Sequence, residues 1–116
     1  MDEFLYVSLP LYDDESYYKY SIALEGTSYR LQFLYNSKMQ MYTLTLFTAD
    51  DEVIVEGVGL VPNYPIMANY VIEGLTGYFL LAPKGTSGVE YYKLYPRNLG
   101  KYYDLTYVYP NSSTWS

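Results

Sequence analysis

The sequence predicts an all-β chain, a small antiparallel barrel or sandwich of about six to seven strands with an extended N-terminal arm. Three observations carry that expectation. Apolar residues recur at every second position in run after run, the spacing that gives a strand one buried and one wetted face. Short stretches rich in Asn, Asp, Gly and Pro separate the runs. No segment carries the apolar period of a long helix, and no repeat is visible.

Residues 1–16 read as the arm, 17–109 as the β domain and 110–116 as a C-terminal tail. In the arm, Phe4, Leu5, Tyr6, Val7, Leu9, Leu11 and Tyr12 place apolar groups at nearly every position. Such a segment needs cover on both faces. Either it is an edge strand of its own domain, or it is covered by a neighbouring subunit through strand addition. Deleting residues 1–12 is expected to leave the domain folded and to block its incorporation into the assembly; a truncated chain that unfolds would place the arm in the domain's own sheet. Asp13-Asp14-Glu15 reads as a solvated linker.

The first domain strand spans Tyr17–Leu24, with Tyr18, Tyr20, Ile22 and Leu24 on one face. Glu25-Gly26-Thr27 is short enough to make a hairpin with the next run. There, Tyr29, Leu31, Phe33 and Tyr35 alternate with Arg30, Gln32 and Leu34. Asn36-Ser37-Lys38 reverses the chain into a strand in which Tyr42, Leu44 and Leu46 alternate with Thr43 and Thr45. Asp50-Asp51-Glu52 reverses it again into residues 53–61, apolar and β-branched, where Gly57 and Gly59 predict a bulge or bend.

Residues 62–76 are irregular but hold Ile66, Met67, Tyr70, Val71 and Ile72, so this loop either caps an open end of the domain or docks a partner. A strand follows at 78–82 and a glycine loop at 84–88. A short strand at 89–95 and one helical turn at 96–100 come next. Tyr103, Leu105, Tyr107 and Tyr109 then mark a closing strand. Trp115, the single tryptophan, has a ring that packs on its own domain or on a neighbour.

Composition narrows function. The chain has 116 residues, net charge −6, 18 tyrosines, 7 Lys plus Arg, and neither Cys nor His. Its length suits one domain. Scattered basic residues and an acidic total argue against specific nucleic-acid binding, which needs clustered Lys and Arg. No apolar run is long enough for a membrane helix, and Met1-Asp2-Glu3 lacks the basic start of a signal peptide. Without His or Cys, the common triads and thiol chemistries are closed. A zinc site would be left to carboxylates alone. The candidate carboxylates, Asp50, Asp51, Glu52, Glu56, Glu73 and Asp104, do not announce an acid–base pair. The acid runs lack EF-hand spacing, and Gly85 and Gly88 lack the P-loop order. No enzyme, metal or cofactor is expected. Tyrosine, with an apolar body and a polar tip, suits both strands and interface cores.

One order of elements is specific. It runs from the Tyr29-Arg30-Leu31-x-Phe33 strand and the Asn36 turn to Tyr42-x-Leu44-x-Leu46-Phe47 and an Asp turn. An apolar strand with Gly follows, then Gly59-Leu60-Val61-Pro62-Asn63-Tyr64-Pro65. Leu99-Gly100 and the closing strand come last. From about residue 20 to 109 this resembles the cyanophage-type baseplate plug domain family of contractile-tailed phages. Tyrosine is more abundant here, and residues 85–92 replace an Asp-rich loop.

The resemblance implies a structural virion component, a plug or hub-associated baseplate protein present in several copies. It would be assembled in the host bacterial cytoplasm and held by other tail and baseplate hub proteins. It brings no catalytic residues. The expected partner interface comprises Phe4, Leu5, Tyr6, Val7, Leu9, Leu11, Tyr12, Pro62, Tyr64, Pro65, Tyr91, Tyr92 and Trp115. The competing reading is a small β-sandwich that stacks carbohydrate on Tyr64, Tyr91 or Tyr92.

Overall fold

The alternating runs become strands at nearly the positions their side chains dictate. A computed structural model of the chain describes residues 4–12, 15–61, 65–68, 70–72, 74–83 and 103–110. Its strands are β1 (Phe4–Leu9), β2 (Tyr17–Leu24), β3 (Thr27–Asn36), β4 (Met41–Thr48), β5 (Val53–Gly59), β6 (Tyr78–Pro83) and β7 (Tyr103–Pro110). The expected strand at 89–95 and turn at 96–100 lie outside the described residues.

The strands form two antiparallel sheets, ordered β1-β7-β6 and β2-β3-β4-β5. The sheets do not close on each other, so of the two expected shapes the fold is the sandwich. The arm's first six described residues are a strand of the chain's own sheet, with Leu5 opposite Tyr109, Val7 opposite Tyr107 and Leu9 opposite Leu105.

The core fills the space between the sheets. Tyr18 and Leu24 of β2, Tyr29, Leu31 and Phe33 of β3, and Tyr42, Leu44 and Leu46 of β4 meet Leu9, Phe79, Leu81, Leu105 and Tyr107. These are the inward positions that period-two alternation predicts. Leu60, Ile66 and Met67 add to the core from the β5–β6 connection, so part of that loop caps the sandwich.

Turn chemistry is local and specific. The Asn36 side chain accepts the backbone N–H groups of Lys38 and Met39, at 3.0 and 3.1 Å. Thr48 Oγ1 accepts those of Asp50 and Glu52, at 3.2 and 3.1 Å. The predicted bulge falls on β5. Leu44 faces Val58 and Leu46 faces Val55, so β5 carries one extra residue there. Gly57 supplies the positive φ of 66° that the extra residue needs, and its N–H donates to Thr45 Oγ1 at 3.0 Å. Thr45 is buried on the outer face, and that bond satisfies its hydroxyl oxygen.

Candidate interaction surface

Inward side chains on the three-stranded sheet are Leu5, Val7 and Leu9 on β1, with Leu105, Tyr107 and Tyr109 on β7. Alternation sends the intervening residues outward. In register, the outer face presents Phe4 beside Pro110, then Tyr6–Val108–Tyr78, then Ser8–Thr106–Leu80, then Asp104–Ala82. One residue of this face is charged. Tyr6 is 70% exposed and Phe4 48%. Val108, between two tyrosines, is 4% exposed although it stands outside the inter-sheet core. A sheet with water on its outer side carries polar residues there. This one carries aromatic and aliphatic side chains there, with Phe4 and Tyr6 exposed and Tyr78 and Leu80 half-buried.

The outer face of the four-stranded sheet is mixed. Its rows hold Tyr17, Leu34 and Thr43, then Lys19, Gln32 and Thr45, then Ser21, Arg30, Phe47 and Val53, with Tyr17, Leu34 and Val53 exposed. Asp51 accepts from Lys19 Nζ at 2.8 Å and from Arg30 Nη1 at 2.7 Å. The Lys19 ammonium also lies 3.9 Å from the centre of the Phe47 ring. The Lys19 hydrogen bond, with that of Arg30, holds the exposed Asp51 carboxyl below its ordinary range. Charges here are paired with one another in water.

The expected interface residues divide between these environments. Phe4 and Tyr6 lie together on the apolar face. Leu5 points inward but is 39% exposed, because β1 is the outermost strand. Leu9 is buried, and Val7 and Leu11 pack against the core, so their surface is taken up within the chain. Tyr12 is half exposed and stacks on Tyr18 with ring centres 4.6 Å apart. Pro65 is exposed at the loop. Pro62, Tyr64, Tyr91, Tyr92 and Trp115 lie outside the described residues.

Tyr6 on one side of Val108 and Tyr78 and Leu80 on the other were separable only with the register in hand. The signal that existed was β6 itself, Tyr78-Phe79-Leu80-Leu81-Ala82, apolar on both faces. Tyr70 and Val71 add exposed apolar groups on the loop leading into β6.

One carboxylate stands apart. Glu25 in the β2–β3 turn accepts from Thr76 N at 2.7 Å and from Thr76 Oγ1 at 2.6 Å. It also accepts from the Tyr107 hydroxyl at 2.5 Å, and that hydroxyl accepts from Gly77 N at 2.9 Å. It clasps one sheet to the other. Burial, with help from the Glu25 bond, pushes the Tyr107 hydroxyl above the ordinary tyrosine range. Burial and the neighbouring Tyr18 and Tyr12 do the same to Tyr20. Among the described residues no group of three or more acidic side chains is placed to hold a metal ion.

Comparison with known proteins gives one family. The family described as "Cyanophage baseplate Pam3 plug gp18" matches residues 6–110 of the chain. No curated protein matches it.

Proposed function

Because the chain belongs to the cyanophage baseplate plug family, we propose that it is a structural part of a phage tail baseplate, held by neighbouring tail and hub proteins through the outer face of β1-β7-β6. The observation that carries this is how charge is distributed over the two outer faces. One holds the Lys19–Asp51–Arg30 cluster, and the other holds Asp104 as its one charge, with Phe4 and Tyr6 exposed along its edge strand. Tyrosine anchors of this kind supply binding energy without a pocket, because a rigid ring loses little entropy on contact. The reading assigns the chain no reaction, no cofactor and no specific nucleic-acid contact. It places the chain in the virion, in several copies, after assembly in the host cell.

Co-expression of the chain with the baseplate proteins of its phage tests this. Tyr6→Lys with Leu80→Lys puts two charges on the apolar face and leaves the inter-sheet core intact. The expected result is a folded protein whose incorporation into baseplates falls by about tenfold or more. Incorporation at the wild-type level would overturn the reading.

A further inference from the structure

We infer that β1 is an acceptor strand, and that an extended, uncharged, apolar segment of another baseplate protein pairs along its open edge. The inference rests on the docking role proposed above and adds how the contact is made.

The direction of the backbone groups follows from the ladder. Phe79 exchanges both of its backbone hydrogen bonds with Ile66, at 2.7 and 3.0 Å, so its N–H and C=O point away from β7. Antiparallel alternation then turns Tyr78, Leu80 and Ala82 towards β7, and Val108, Thr106 and Asp104 towards β6. Tyr109, Tyr107 and Leu105 are left to bond Leu5, Val7 and Leu9. The N–H and C=O groups of Phe4, Tyr6 and Ser8 therefore face the open side of the sheet, and no described backbone group meets them.

The other three edges carry protection that β1 lacks. β2 presents Lys19, β5 is broken by the bulge at Gly57, and β6 is covered at Phe79 by Ile66. Between Phe4 and Leu9 there is no Lys, Pro, Gly or bulge. Phe4, Leu5 and Tyr6 are exposed in succession, so both faces and the edge are bare together. A strand added there gives the three-stranded sheet the four strands of its partner sheet and covers Leu5 from the side.

The occupant is a segment of a different chain. From Phe4 to Tyr12 there is no charged residue, so a charged segment would lose its hydration to no counter-charge. The whole chain carries −6, and a second copy would bring the same charge again. A two-fold pairing of β1 with itself must also match outward residues to outward residues. That rules out full six-residue overlap and leaves at most five.

Residue-resolved amide exchange on the isolated chain and on assembled baseplates tests the inference. Leu5, Val7 and Leu9 are expected to be protected in both. Phe4, Tyr6 and Ser8 are expected to exchange freely in the isolated chain and to slow by about a hundredfold or more in the baseplate. If the chain enters baseplates while those three amides still exchange freely, strand addition is wrong and the docking face stands. If the isolated chain dimerises with those amides already protected, the occupant is a second copy and the inference fails. If the chain does not enter baseplates, both readings fail. A variant pair gives a second readout. Ser8→Pro removes one edge donor and Ser8→Ala removes only the hydroxyl, so the first alone is expected to lose incorporation. Equal incorporation of the two would overturn the inference.

Discussion

Glu25 shows what one residue can do between two sheets. Glu25 and Gly26 both have positive φ, 50° and 84°, as in the tight turns that suit a twisted hairpin. Asn or Gly fits that first position with less strain. Glu stands there, and its carboxylate collects two donors from Thr76 and one from Tyr107. Glu25→Ala leaves these donors without their acceptor and is expected to cost about 2 kcal/mol in urea unfolding, with Glu25→Gln costing about half as much.

The same clasp has a pH signature. The folded pKa of Tyr107 is raised above the unfolded value of 10.0, so its contribution is fully present below that pH and is lost as pH rises beyond it. The wild-type urea midpoint is therefore expected to fall at alkaline pH, and the fall to be shallower in Tyr107→Phe. Sequence could place the Glu25 turn but not its use, because Thr76 and Tyr107 are far away along the chain.

At the scale of the element, alternation is what made the strands readable. β2, β3, β4 and β7 each carry one apolar face, and their inward residues are the ones that period two selects. The bulge was legible as well, since Gly57 is a residue that tolerates its backbone. β1 was harder, because apolar residues on both of its faces leave parity undefined. Only pairing with β7 sorts Leu5, Val7 and Leu9 from Phe4, Tyr6 and Ser8. That pairing corrects the expectation that the domain stays folded without residues 1–12. Removing residues 1–12 takes Leu9 out of the core, bares Leu105 and Tyr107, and leaves β6 and β7 as a two-stranded ribbon. The truncated chain is expected to lose at least about 3 kcal/mol, read as loss of the cooperative urea transition. A transition at the wild-type midpoint would show that β1 adds nothing to the sandwich.

Across the whole molecule, charge is distributed unevenly between the two outer faces. The Lys19–Asp51–Arg30 cluster shares its face with exposed Tyr17, Leu34 and Val53, whereas Asp104 is the one charge on the outer face of β1-β7-β6. This distribution was invisible in composition, because the net charge says how much and not where.

If the proposed baseplate role holds, the acidic excess predicts that DNA does not adhere to the chain, since like charges repel. Asp50, Glu52 and Glu56 are exposed, and no described side-chain bond depends on their carboxylates. Replacing all three by Lys moves the net charge from −6 by twice three, to zero, without touching the clasp or the docking face. Phage carrying this variant is expected to assemble normally and to eject DNA more slowly, and the purified variant to bind duplex DNA at low salt where the wild type does not. Wild-type ejection from fully assembled particles would show that the charge serves solubility alone.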